Sequence, residues 1–253
     1  MYGSDYDDLI ASYYDAGYAT LEHLGLDVAF YRQLASEAGG PVLELGCGTG
    51  RALLEVVQAG QSVTGLDSSP AMLEVARGSV PPSVRLVRAD MRDFDLDDTR
   101  FALIFSAFRA FQHLETVEDQ LRCLACARRH LAPGGMLAFD VFHPSLERMA
   151  LDEEPETEDL RFAFEGDEVV RYARVVRDRA TQSMDICFRW VRNRDGAVIA
   201  DDETSFRMRY FFRYELEHLL ARAGFEAEIF GDFDRSAVGR DSPSFVVVAR
   251  SRA

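Results

Sequence analysis

The sequence contains no lysine: all 28 basic residues among its 253 are arginine. Without a lysine amine there is no Schiff base to pyridoxal phosphate and no Walker-type Gly-Lys-Ser/Thr phosphate loop. Also lacking is any run of about 18 apolar residues, or a basic segment leading into an apolar one at Met1. Neither a membrane span nor a secretory signal is therefore expected, and a cytoplasmic location follows. The four cysteines, Cys47, Cys123, Cys126 and Cys187, are scattered, and the pair in "CLAC" has neither a second pair nor nearby histidines. Buried thiols and no metal site are the expectation. Positive charge is in deficit, with 43 acidic residues, a net charge of -15 and a pI near 4.8. Such a balance repels a phosphate backbone and argues against nucleic acid as partner.

What is present is enough apolar material, 47% of the residues, to bury one full core. A single large domain with an insertion is the expectation. From Pro41 to Phe142 short apolar runs alternate with helical patterns. "PVLEL", "QSVTGLD", "SVRLVRAD", "FALIFSAF" and "GGMLAFDVF" read as strands buried on both faces, and "RALLEVVQAG", "PAMLEVARG" and "VEDQLRCLACARRHL" as helices. Ser69 before Pro70 suits a helix cap and first position, and "APGG" at 132–135 ends a helix before a strand. Near the far end, "RYELEHLLARAGF" predicts a helix stopped by Gly224, and "EAEIF" and "SFVVVAR" predict closing strands. The fold expected is α/β: a doubly wound, mostly parallel, Rossmann-like sheet of seven strands, with ligands beyond the strands' carboxyl ends.

Between His143 and Phe212 the pattern changes. It opens with "LDEEPETED", read as an acidic mobile run. Alternation then places Met184, Ile186, Phe188 and Trp190 on one strand face, and Phe206, Met208, Tyr210 and Phe212 on another. An inserted antiparallel β-ribbon is predicted, dividing the chain into 1–142 (N-terminal helices and ligand-binding core), 143–212 (ribbon) and 213–253 (helix and closing strands). The ribbon is expected to roof an acceptor pocket, with a homodimer interface as the rival use of its aromatic face. Arg171, Arg177, Arg189 and Arg207 read as a solvated face interleaved with acids.

The chemistry is carried by "PVLELGCGTG", 41–50. Gly46, Gly48 and Gly50 follow an apolar strand, and a turn without Cβ atoms lets a ligand approach the backbone while the next helix aims its free N–H groups at an anionic group. Asp67 ends the second strand about 20 residues on, where a carboxylate reaches the two hydroxyls of a ribose. Asp90 ends the third, placed for a purine amine.

On these residues the chain resembles a class I S-adenosylmethionine-dependent methyltransferase, over about 5–142 plus the two closing strands. That family's Glu/Asp-x-Gly-x-Gly-x-Gly motif is matched at Glu44, Gly46, Gly48 and Gly50, with Cys47 inside it; a dinucleotide fingerprint would want glycine or alanine where Arg51 stands. The resemblance implies S-adenosyl-L-methionine as cofactor. Gly46 and Gly48 would line its methionine and ribose portion, Asp67 its ribose hydroxyls, and Ser68 or Met72 its adenine. Asp90 and the Met91 N–H would serve the adenine edge, and the Ser106 and Ala107 carbonyls would face the ammonium. Tyr6, Tyr13 and Tyr14 resemble the helix that folds over the cofactor, with core packing as the alternative.

"SAFRAFQHL" carries neither the Asn/Asp-Pro-Pro-aromatic motif nor the cysteine nucleophile of the family's nucleic-acid branches, which with the acidic balance points to N- or O-methylation of a small-molecule acceptor, with a protein side chain as the alternative. In-line methyl transfer from a sulfonium needs alignment and exclusion of water more than a base. His113 and His143, each just beyond a central strand, are the base candidates, with Arg109 and Gln112 able to clamp a polar group; His23, His130 and His218 read as surface or packing residues. A nicotinamide-dependent oxidoreductase and a noncatalytic S-adenosylmethionine-binding module are the alternatives.

Overall fold

The computed structural model describes residues 4–18 and 24–252. The chain divides into two compact units, Gly25–His143 with Phe211–Ala253, and Met1–Leu24 with Pro144–Tyr210. The sequence expectation assigned residues 1–142 to the N-terminal helices and α/β core, whereas Ser4–Tyr18 groups with the insertion.

The larger unit holds a seven-stranded sheet. Its parallel strands are β1 (Val42–Leu45), β2 (Val63–Asp67), β3 (Arg85–Arg88), β4 (Phe101–Ser106) and β5 (Leu131–Phe142). β10 (Phe225–Phe230) and β11 (Ser244–Ser251) complete it in the order β10-β11-β5-β4-β1-β2-β3, with β11 antiparallel to both neighbours. The central strands are continuous apolar runs because both faces are covered. One face packs α5 (Val117–His130) and α7 (Arg213–Arg222) through Cys123, Leu124, Leu216 and Leu220. The other packs α2 (Leu24–Ala38), α3 (Arg51–Val56) and α4 (Pro70–Ser79) through Tyr31, Leu34, Leu53 and Leu73.

Local chemistry sets the boundaries. The Ser69 hydroxyl accepts from the Met72 N–H at 3.2 Å ahead of Pro70, and the Thr116 hydroxyl accepts from Asp119 N–H at 3.1 Å. Gly224, at φ +84°, ends α7. Cys123 and Cys126 are buried, and Cys126 both donates to the Phe94 carbonyl and accepts from its N–H. His130 is also a packing residue: Leu96 N–H donates to its Nε2, and its Nδ1 meets the Cys126 carbonyl. His218 is exposed, and His23 lies outside the described residues.

The smaller unit is a four-stranded antiparallel sheet in the order β6 (Glu153–Phe164), β7 (Asp167–Asp178), β8 (Ser183–Arg194), β9 (Ala197–Arg209), with a short helix α6 (Leu146–Met149) before it. α1 (Ser4–Tyr18) belongs to this unit. The expected ribbon is thus a full sheet, and three expectations need correction. "LDEEPETED" is not a mobile run: most of it forms the start of β6, because arginines across the sheet neutralise its acids, pairing Arg174 with Glu153, Arg177 with Glu154, Arg189 with Glu156 and Arg171 with Asp159. Arg171 and Arg177 are 5% and 6% exposed rather than solvated. Arg171 sits opposite Trp190 in the register, bonds both Asp159 oxygens and lies 4.0 Å from the Phe188 ring centroid. Finally, alternation stops at Arg209, so Phe212 is exposed ahead of α7 while Phe211 is fully buried in the larger unit's core.

Tyr13 is buried in this unit against Phe162, Phe164 and Trp190, and Tyr14 packs edge-on to Tyr18 at 4.6 Å. The Tyr6 side chain lies outside the described residues. No helix among the described residues is long and apolar enough to cross a membrane.

Candidate functional site

The turn after β1 is built from backbone. Gly46, Gly48 and Gly50 all have positive φ, at +71°, +53° and +86°. A Cβ on Gly46 would stand 2.8 Å from the Ala110 Cβ and 3.2 Å from the Met91 Cε, and one on Gly50 would stand 2.7 Å from Val80 Cγ1. Those two glycines are therefore required by conformation and by packing. At Gly48 nothing lies within 4 Å of such an atom. The turn opens there.

Asp67, at the end of β2, is fixed by the same turn. Its Oδ2 accepts from Gly48 N–H at 2.8 Å and its Oδ1 from Ser69 N–H at 2.9 Å. Asp90 is more engaged than its place at the end of β3 suggested: Arg92 donates to both of its oxygens, and this partner holds the Asp90 carboxyl below its ordinary range. Ser68 is exposed, Met72 and Met91 are half-buried, and the Met91 methyl lies beside Gly46.

Beneath the turn lies negative charge. Glu44 on β1 is 2% exposed, and its Oε2 has no hydrogen-bond partner among the described residues. Burial pushes its carboxyl well up, opposed by Arg51 and reinforced by Asp67, Asp27 and Asp140. Burial likewise raises the Asp140 carboxyl to about 6, against the hydrogen bond from Tyr31 and the charge of Arg109. Asp27 is buried and paired with the half-buried Arg51, both of whose terminal nitrogens donate to it, at 3.0 and 2.5 Å. Cys47 is buried in the turn, and burial pushes its thiol up too.

The end of β4, the loop after it and the end of β5 carry the remaining candidates. Ser106 is 3% exposed, its Oγ has no partner among the described residues, and Ala107 is buried beside it. Arg109 is exposed, with its guanidinium 5.7 Å from the Phe142 ring centroid. His113 ends a short 3-10 helix, 110–113, and is half-buried. Gln112 is fully buried and accepts from Phe142 N–H at 3.0 Å, so it ties the loop to β5 rather than clamping a ligand. His143, beyond β5, has Nδ1 2.9 Å from the Ser242 carbonyl. A carbonyl only accepts, so this contact puts the proton on Nδ1 and leaves the neutral ring's lone pair on Nε2. Sequence reasoning missed Asp27, Tyr31 and Asp140 as parts of this site; the available signal was a carboxylate inside the apolar strand "AFDVF".

Comparison with known proteins agrees with this geometry. Residues 42–135 match the family model of a methyltransferase domain. A dTDP-4-amino-2,3,4,6-tetradeoxy-D-glucose N,N-dimethyltransferase of Saccharopolyspora spinosa is 33% identical over 141 residues, covering 55% of each protein. The chain spans about half the length of the curated relatives it matches, from 37% to 58%. Among solved structures, the CcbJ methyltransferase from Streptomyces caelestis is 29% identical with a TM-score of 0.82 over 100% of both chains. CalS10, an amino pentose methyltransferase from Micromonospora echinaspora solved with S-adenosylmethionine bound, is 28% identical with a TM-score of 0.69 over 89% of this chain and 90% of its own. With its glycine turn, its antiparallel closing strand and these matches, the chain carries a methyltransferase domain over residues 42–135 and is similar to S-adenosylmethionine-dependent methyltransferases.

Proposed function

We propose that the protein transfers a methyl group from S-adenosyl-L-methionine to an amine of a small-molecule acceptor. The observation that carries this reading is the buried Glu44 carboxylate with one unpartnered oxygen, set among Asp27, Asp67 and Asp140 below an open glycine turn. That field suits a ligand bearing a sulfonium and an ammonium and disfavours the anionic pyrophosphate of a nicotinamide dinucleotide. The antiparallel β11 also departs from the classic dinucleotide sheet order.

In this reading Gly46, Cys47 and Gly48 border the amino-acid portion, with Glu44, Ser106 and Ala107 receiving its ammonium. Asp67 takes the ribose, and Ser68, Met72, Asp90 and Met91 the adenine. The bound cofactor supplies an activated methyl carbon on a good leaving group. His113 is the residue proposed to receive the acceptor's proton, with His143 as the second candidate through its Nε2 lone pair, and Arg109 to orient a polar group of the acceptor. Tyr14 is kept as a cofactor-side candidate from the family resemblance. An amine acceptor is supported by relatives whose names specify amino groups, including the cypemycin N-terminal and amino-sugar N,N-dimethyltransferases. A cytoplasmic setting accords with four free thiols, three of them buried. A homodimer through the inserted sheet is supported by its edge strand β9, which exposes Val198 and Ile199; a monomer in sedimentation would reject it.

Calorimetry with S-adenosylhomocysteine and with NAD tests the cofactor. Binding of the first alone is expected, and heat from NAD alone would overturn the proposal. Turnover of an amino-sugar and amino-acid amide panel, followed by S-adenosylhomocysteine release, then tests the acceptor.

A further inference from the structure

Phe108 and Arg109, in the loop after β4, have φ of +52° and +67°, a conformation that residues bearing side chains rarely adopt. Asp140 on β5 holds them there. Its Oδ1 accepts from Phe108 N–H at 3.0 Å and its Oδ2 from Arg109 N–H at 3.1 Å. The Tyr31 hydroxyl donates to the same Oδ1 at 2.7 Å and lies 3.4 Å from the Ser106 carbonyl. Tyr31 is one helical turn along α2 from Asp27, which grips Arg51, the residue after the last glycine of the turn. The Arg51 guanidinium in turn stands 5.2 Å from the Phe108 ring centroid. The contacts close a circuit inside the larger unit, from Asp27 through Tyr31, Asp140, Phe108 and Arg51 back to Asp27.

We infer that this circuit is a positioning device, with Asp140 as its central acceptor, that holds the β4 loop in its left-handed conformation against the glycine turn. Asp140 is thus a positioning residue for the candidate groups on that loop. What the loop serves rests on the methyltransferase reading, whereas the circuit itself does not. It also explains why an arginine occupies the place where a dinucleotide fingerprint has a small residue.

The device works only with a carboxylate. Asp140 faces three donors, so protonating it would set a donor against a donor. The charged and titratable groups around it are Tyr31 and Asp27 on α2, Arg109 in the loop and Glu44 on β1, with Arg51 beside Asp27. Burial places its titration at about 6. The sign is informative: a carboxyl raised from 3.8 contributes to global stability at low pH and loses that contribution as pH rises through the folded value, while the loop's hydrogen bonds form over the same interval. Loop order and this residue's share of global stability therefore change in opposite directions with pH.

Hydrogen exchange of the full chain, followed by mass spectrometry between about pH 5 and 8 and corrected for intrinsic rates, tests the circuit. In the wild type, protection of the Phe108 and Arg109 amides is expected to rise through the Asp140 titration. In Asp140→Asn that protection falls roughly tenfold or more and loses its pH dependence, while β1 and β2 keep theirs. Tyr31→Phe, which folds with one hydroxyl fewer, loses less protection and shifts the midpoint to higher pH because its O–H bond favours the charged form. Protection in both variants equal to wild type, or a loss spread evenly over 42–67, overturns the inference; if Asp140→Asn does not fold, Tyr31→Phe decides it alone. S-adenosylhomocysteine calorimetry on the wild type is read separately. No heat there would sink the methyltransferase reading and leave the exchange result standing.

Discussion

Buried charge is treated differently in the two units. In the four-stranded sheet, opposite charges meet: Arg171 bonds both oxygens of Asp159, and Asp167 bonds both Arg192 and Arg194. In the larger unit, Glu44 has an oxygen without a partner, and Asp140 is held by one hydroxyl and two N–H groups. Compensated pairs hold a sheet together. Uncompensated carboxylates beside an open turn keep a field that a cationic ligand can satisfy, and they reduce stability until it arrives.

The comparison can be broken most severely at Arg171. Replacing it with leucine removes its stacking on Phe188 and its paired bonds to Asp159, an expected loss of about 3 kcal/mol in urea unfolding, with S-adenosylhomocysteine affinity retained. Glu44→Gln should act with two signs. Cofactor binding weakens by about 2 kcal/mol, the scale of a charge-assisted hydrogen bond, while the unliganded protein gains stability at neutral pH. Because burial raises the Glu44 carboxyl, its contribution to stability is present below the ordinary value of 4.5 and lost as pH rises through the folded one. The stability gap between variant and wild type should therefore widen with pH, and a constant gap would mean that Glu44 is not the group responsible. Asp67→Ala is expected to weaken S-adenosylhomocysteine by about 1 kcal/mol or more in calorimetry, and unchanged affinity would remove the ribose assignment. The smallest contrast separates the histidines: on an accepted amine, His113→Ala lowers kcat by about tenfold and His143→Gln by less than about threefold.

The same contrast explains what was legible in the sequence. The strands of the larger unit announce themselves as apolar runs, and Ser69-Pro70 and the three glycines mark their turns, because each signal lies within a few adjacent residues. Period-two alternation also exposes β8 and β9. β6 does not show itself, since its acids are neutralised only by arginines on other strands, a relation that no local window contains. Asp27, Tyr31, Phe108 and Asp140 are hidden for the same reason: Tyr31 and Asp140 are 109 positions apart and meet through the order of the sheet. Phe212 is misjudged because a pattern of alternating side chains carries no mark of where pairing stops.

β11 lies between β5 and β10, although every other described strand precedes it in the chain. During synthesis β10 therefore leaves the ribosome before the neighbour that will attach it to the sheet exists. The open flank of β5 waits in the same way, unpaired along a run that includes Phe139 and Val141. The nascent chain passes through an interval in which a long apolar edge can recruit another polypeptide, and the speed with which 244–251 is delivered sets how long that interval lasts.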